Sequence, residues 1–357
     1  MTERKTVIVS VPVLRDYMER LLLSVGCERI NAEIAADVFL EADMRGVGLQ
    51  GLDHMHSMIR GIRNGHIDPK GIPRVKNEGA AFVLIDGARG PGQAAAVLAA
   101  DLGVKKAREA GTCAVGIVNS SDIFMLGYYA ERIAKAGLIG FVFTSSAPLV
   151  HPHGGIDRIL GTNPLALAFP TADNFPVIID MATSALSASR VRQASYFGED
   201  VPDGVGVDEL GKPTCDPAIM RPRGAIGPFG GHKGFALALA VALLSGPLVG
   251  AEVGLALRTW LTDAQGPQGI WGHFILVVDP ACFGDTGAFR VATSAYLNEI
   301  KASRKAEGIA EILIPGARAL ATREKSQREG VTLYEVVWMR AQELAQELKV
   351  LVPNVIR

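Results

Sequence analysis

No two cysteines of this 357-residue sequence stand in a Cys-x-x-Cys pair: Cys27, Cys113, Cys215 and Cys282 are scattered and lack a local histidine partner. Such spacing gives neither a zinc site nor a disulfide framework, so the expectation is four reduced, mostly buried thiols and no metal. Charge of one sign is also lacking. The net charge is −1, with 36 Lys and Arg interspersed among 37 Asp and Glu, which argues against a nucleic-acid face or a membrane-surface stripe. Long apolar runs are missing too. The longest, residues 235–244, is about half a membrane span, and no apolar segment follows the charged N-terminus. The expected protein is soluble and cytoplasmic, with neither nucleic acid nor membrane as partner. There is no G-x-G-x-x-G between a strand and a helix and no G-x-x-x-x-G-K-[ST], which argues against an ordinary Rossmann or P-loop site.

What is present is a 48% apolar chain long enough for two or three lobes. After a β-like opening at 6–10, Leu14, Tyr17, Met18, Leu21, Leu22 and Val25 recur at helical spacing up to Gly26. A second helix is expected from about Asn31 towards Gly46, and a third over 52–64. On the third, His56 falls near the edge of the apolar stripe and His54 points away from it, towards solvent or a cleft. Gly90-Pro91-Gly92-Gln93 opens an alanine-rich helix over 94–110. Strand 113–118, helix 128–135 and strand 138–144 then read as a βαβ unit with parallel pairing. Further strands are expected at 165–169, 177–179 and 274–278, a loop at 197–223 and a closing helix at 334–348.

The stretch Pro228-Phe229-Gly230-Gly231-His232-Lys233-Gly234 sets a histidine and a lysine in a glycine-rich turn ahead of the apolar run. Glycines let backbone approach a ligand closely, and a helix N-terminus attracts an anion such as a pyrophosphate. Taken alone, this is as well read as a surface turn capping a core helix.

In combination, Gly90-Pro91-Gly92-Gln93, Leu160-Gly161-Thr162-Asn163-Pro164-Leu165, Asp180-Met181-Ala182-Thr183-Ser184, Gly211-Lys212-Pro213-Thr214-Cys215-Asp216, Gly230-Gly231-His232-Lys233-Gly234 and Pro315-Gly316 tell more. In this order and spacing they resemble the malate/L-lactate dehydrogenase family with the non-Rossmann nicotinamide fold, over nearly the whole chain. That resemblance implies an α/β protein: a mixed-sheet, non-Rossmann nicotinamide-binding domain beside a helical domain built from both termini. The expected division is residues 1–75 with 320–357 for the helical domain and 76–319 for the cofactor-binding and dimerisation region. The resemblance further implies a homodimer, a small-molecule substrate, and NAD or NADP as cofactor, with NADH slightly favoured. Its cofactor-contacting positions fall on Asn163, on Val177, Ile178, Ile179, Asp180, Met181 and Ala182, on His232 and Lys233, and on Gly316, Ala317 and Arg318. Lys233 and Arg318 can neutralise phosphates. Asp180 reads equally as a strand-end cap for the helix that follows it.

The catalytic half of the pattern departs from the family. Where the family has Ser-His-Gly and then an arginine, this chain has Leu49-Gln50-Gly51 and then His54, and the histidine of the second family signature is Asp122. Ketone reduction needs a proton for the new alkoxide, and a glutamine has none to give at neutral pH. Gln50, His54, Asp122 and His153 are therefore the candidate catalytic residues, with His153, before Gly154-Gly155, the first choice as substitute acid. The reading is an NAD(P)H-dependent oxidoreductase of hydroxy/oxo acids or cyclic imino acids with altered catalytic residues. The alternative is a non-catalytic nucleotide- or metabolite-binding paralogue.

Overall fold

Alternate residues Cys113, Val115 and Ile117 are wholly buried, which marks the strand that carries them as a central one. The structure is a computed structural model describing residues 4–47, 49–173, 175–220, 223–257 and 269–356. In chain order its strands and α-helices run β1 (Thr6–Val9), α1 (Val11–Ser24), α2 (Arg29–Met44), α3 (Leu52–Arg63), β2 (Arg74–Glu78), β3 (Phe82–Asp86), α4 (Gly92–Ala110), β4 (Thr112–Ser120), α5 (Leu126–Lys135), β5 (Ile139–Thr144), β6 (Leu165–Phe169) and β7 (Val177–Met181). They continue with α6 (Ala188–Phe197), β8 (Gly206–Val207), β9 (Pro213–Thr214), α7 (Pro217–Met220), β10 (Ala225–Ile226), α8 (His232–Ser245), β11 (Trp271–Val278), α9 (Thr286–Ala302), α10 (Ala317–Glu329), β12 (Val331–Tyr334) and α11 (Glu335–Glu347).

The main sheet has seven strands in the order β2-β3-β4-β11-β5-β6-β7, beside a β1-β12 ribbon and a small β10-β8-β9 sheet. Only the β3–β4 pair is parallel. The architecture is thus the expected mixed α/β one, but the expected direct pairing of strand 113–118 with 138–144 is corrected. β11 lies between β4 and β5, antiparallel to both, with Ile275 opposite Val115 and Val142. The unit β4-α5-β5 leaves room for a strand that arrives 130 residues later in the chain, which local periodicity cannot foresee. The loop expected at 197–223 contains β8, β9 and α7, and its residues 221 and 222 lie outside the described ones.

Two cores explain the layers. One gathers α1, α2, α3 and α11 with the β1–β12 ribbon, from Val9 to Ile67 and Val331 to Ala345; both termini build it. The other lies under the sheet, where α4 sets Ala95, Ala96, Ala99, Ala100 and Ala107 against the buried strand faces. Small side chains let the helix lie close, and the left-handed Gly111 at φ 82° ends it. Val38 and Ala42 of α2 join the sheet core. A buried ionic network also ties the two layers. Glu41 accepts from Arg45 at 3.1 Å and from Arg323 at 2.7 Å, and Arg45 also pairs with Glu131 of α5.

α8 packs Ala238, Val241, Ala242 and Ser245 inward, towards β5 and β11. It begins at His232, so His232 and Lys233 stand in the first helical turn rather than in the turn before it. Together with the residues that follow, to Val249, it is long and apolar enough to cross a membrane by length and hydropathy. Its outer face carries Leu239 and Leu243 in solvent, and α9 buries only Ser294.

Candidate active site and cofactor cleft

Phe124 has a positive φ of 59°, a conformation costly for an aromatic residue and a mark of a turn held by its surroundings. The turn carries Asp122, whose Oδ1 accepts the Phe124 N–H at 2.8 Å. It also sets the Phe124 ring against Phe39, with centroids 4.7 Å apart, and against His54 at 5.4 Å. His54, on the first turn of α3, and Asp122, after β4, thus meet around one aromatic side chain. Phe124 was not singled out in the sequence, and nothing in periodicity could have distinguished it.

The two groups are tuned in ways that suit proton chemistry. Burial pushes the Asp122 carboxyl up to about 6, against the Phe124 and Ile123 N–H groups that hold it down. The residue is nevertheless partly exposed. His54 is driven well below its ordinary value by burial, and then by the positive charge of Arg192. Its Nδ1 has no hydrogen-bond partner among the described residues. Arg192 comes from α6, whose first turn is capped by Ser187 accepting the Arg190 N–H. It donates to the Leu49 carbonyl at 3.2 Å and pairs with Asp53 at 2.8 Å. Asp53 also pairs with Arg340 of α11. Gln50 is half-buried between these elements, its N–H bonded to the Val47 carbonyl at 3.2 Å.

Asp180, near the end of β7, accepts the Gly127 N–H at 2.7 Å. It does cap a helix, but that helix is α5, which precedes it, not the one that follows. A Cβ on Gly127 would stand 2.8 Å from Asp180 Oδ2, so glycine makes the contact possible. Asp180 is solvent-exposed yet surrounded by enough protein for burial to raise its carboxyl to about 6, with Gly127 N–H and the Arg45 charge opposing. Asp122 and Asp180 therefore flank the start of α5, both with raised proton affinity.

The second group lies along β7, an edge strand of the sheet. Gly316, at φ 89° before α10, packs against Ile178: a Cβ there would lie 3.2 Å from the Ile178 carbonyl oxygen. Beyond the other end of β7, Phe229 N–H donates to the Thr183 carbonyl at 3.1 Å, and Ser184 bridges Pro228. β7 and the residues after it thus run from the N-terminus of α10, with Arg318, to the N-terminus of α8, with Lys233. Both cations are exposed and without an ion-pair partner among the described residues. A positive helix end and an exposed cation at each site match what a dinucleotide's phosphates require, so these residues fit such a cofactor. His153 belongs to this group: its ring is edge-on to His232, with centroids 6.0 Å apart, over Gly231. Asn163 is 2% exposed, with its amide spent on the Ala238 carbonyl at 3.0 Å and the Ser146 N–H at 3.2 Å. Of the four cysteines, Cys27 and Cys113 are buried, Cys215 is half-buried and Cys282 exposed.

Comparison with known proteins returns the family read from the motifs. The family described as malate/L-lactate dehydrogenase matches residues 9–342. The chain is 33% identical to the malate/(S)-sulfolactate dehydrogenase of Methanothermus fervidus, over 96% of this chain and 98% of that protein. It is 34% identical to a Δ1-pyrroline-2-carboxylate/Δ1-piperideine-2-carboxylate reductase of Pseudomonas putida, over 92% and 94%. The fold superposes on the crystal structure of malate dehydrogenase from Entamoeba histolytica with a TM-score of 0.93 at 26% identity, covering 98% of this chain and all of that one.

Proposed function

Since this chain belongs to the malate/L-lactate dehydrogenase family and is a dehydrogenase or reductase of small metabolites, we propose that it moves hydride between NAD(P)H and a small polar acid, with carboxyls doing the proton work. The substrate class is a hydroxy/oxo acid or a cyclic imino acid. The observation that carries this reading is the Asp122 carboxyl, raised to about 6, in the turn whose Phe124 ring packs against His54.

The nicotinamide cofactor supplies the hydride. Lys233 and Arg318, each near a helix N-terminus, would hold its phosphates, and the residues from Val177 to Ala182, Asp180 among them, would line its site. The remaining work falls to the carboxyls. A group titrating near 6 is about half protonated at pH 6 and about a tenth protonated at pH 7. Asp122 can therefore deliver a proton to a new alkoxide, which Gln50 cannot, while the Gln50 amide donates a hydrogen bond. When the substrate is an iminium ion, no proton is required and ionised Asp122 serves as counter-charge. Neutral His54 is suited to hydrogen bonding rather than to acid catalysis.

The test is fluorescence titration of NADH and NADPH into the wild type and Lys233→Ala, followed by turnover of 2-oxo acids and cyclic imines at several pH values. Binding of one nucleotide, weakened by about 1–3 kcal/mol in the variant, supports the cofactor half. Failure of both nucleotides to bind removes it. Turnover of ketones alone sinks the imine branch.

The assembly that fits this reading is a homodimer through α8 and α9. Leu239 and Leu243 of α8, at 43% and 52% exposure, and Val291 and Tyr296 of α9, at 61% and 64%, stay exposed among the described residues.

A further inference from the structure

His273 is wholly buried in β11, and the chemistry proposed above gives it no part. Its Nε2 lies 3.0 Å from the Ser121 carbonyl oxygen and its Nδ1 lies 2.7 Å from Thr144 Oγ1. A carbonyl only accepts, so Nε2 carries the proton. Burial pushes the ring down to about 4, so near neutral pH Nδ1 is bare and faces the Thr144 hydroxyl, which also lies 2.9 Å from the Ser145 carbonyl. The imidazole is thus locked in one tautomer with its single N–H aimed at the residue before Asp122.

That N–H acts on a turn held by its surroundings as well as by its own Asp122–Phe124 bond, and Ser120 Oγ also donates to the Ser121 carbonyl, at 3.2 Å. Pairing of β11 with β4 slips between Trp271 and His273, which face Ser120 and Ile117, so β4 carries an extra residue there. Asn119, at the slip, has φ 55°, and Phe124 has φ 59°. Two non-glycine residues with positive φ in six positions persist only where contacts over-determine them. The contacts are specific. Asn119 Nδ2 donates to Asp86 at 2.9 Å, Ser121 Oγ donates to the Gly90 carbonyl at 3.0 Å and accepts the Gly92 N–H at 2.9 Å, and His273 takes the Ser121 carbonyl. A Cβ on Gly92 would stand 2.2 Å from that same carbonyl oxygen. Gly92 and His273 therefore grip the Ser121 peptide.

We propose that His273 is a positioning residue which, through the Ser121 carbonyl, holds the strained 119–124 turn and with it the placement of Asp122. This deepens the reading of Asp122 as the proton-handling group and rests on it.

Substitution can separate the two ring nitrogens, because a glutamine amide reaches the place of Nε2 and an asparagine amide only that of Nδ1. The experiment follows the carboxyl titration of Asp122 by NMR in aspartate-labelled protein, assigned with Asp122→Asn, alongside pH profiles of turnover. His273→Gln is expected to keep the Asp122 titration near its wild-type position and turnover within about threefold. His273→Asn keeps the Thr144 contact but frees the turn, and is expected to move the Asp122 titration towards the ordinary carboxyl range and to lower kcat by tenfold or more. Equal titrations in the two variants overturn the proposal, as does a change in thermal stability alone. The NMR readout needs no substrate, so it remains decisive even where the oxidoreductase assay fails.

Discussion

Asp43 puts its carboxyl where a side chain on Gly51 would begin: an added Cβ would lie 2.0 Å from Asp43 Cγ. The same carboxyl accepts the Leu52 N–H at 2.8 Å, so an acid from the end of α2 caps the start of α3, the helix that carries His54. Gly51→Ala must push the two apart. It is expected to cost about 1–3 kcal/mol, as overpacking does, and to lower turnover more than nucleotide affinity, since this segment carries the candidate catalytic residues Gln50 and His54. Chemical denaturation and parallel NADH titration check both.

Burial, and then the Asp53 charge, raise the Asp43 carboxyl to about 7 from an ordinary 3.8. The folded state therefore binds this proton more tightly than the unfolded chain does. The stabilisation is complete below about pH 4 and is lost as pH rises through 7. Asp43→Asn keeps an acceptor for Leu52 N–H and has nothing to ionise, so it is expected to gain stability relative to the wild type as pH rises from about 4 to 7 and to hold that gain above 7. Denaturation midpoints with a constant difference across that range would discard the assignment.

How much of this was legible without coordinates varies by element. α4 and β6 were, because alanine repetition and a short apolar run bounded by Pro164 and Pro170 are local signals. β2 was not, since all five of its residues are exposed, and α9 was not, because among the described residues it buries only Ser294 and shows no wholly buried apolar stripe. Position 122 was legible as a candidate through family resemblance. Its tuning was not, since the raised proton affinity depends on Phe124 turning over it and on β11 inserting between β4 and β5. Arg192 was passed over for a similar reason: nothing in α6 announces that its partner is Asp53, far away in sequence.

Asp53 is 3% exposed and pairs with Arg192 at 2.8 Å, with Arg340, and with the Tyr196 hydroxyl at 3.3 Å. Three helices, α3, α6 and α11, meet on this one carboxylate. Asp53→Asn leaves two partly buried cations facing each other and is expected to destabilise by about 3–5 kcal/mol. Arg340→Met, which removes only the more exposed cation, is expected to cost less. A smaller loss for Asp53→Asn than for Arg340→Met, measured by denaturant unfolding, would show that the carboxylate is not the hub.

The homodimer reading makes a prediction that does not depend on activity. Leu243 is 52% exposed on α8 and Val291 is 61% exposed on α9. A charge placed on either would cost nothing in a monomer that leaves them in water, and would be costly within an apolar interface. Leu243→Glu and Val291→Glu are therefore expected to leave unfolding of the single chain almost unchanged while shifting the mass seen by light scattering from two chains to one. A wild type that runs as a monomer at micromolar concentration rejects the assembly outright. A charged variant that stays dimeric moves the interface elsewhere, because no buried apolar contact tolerates an unpaired carboxylate at its centre.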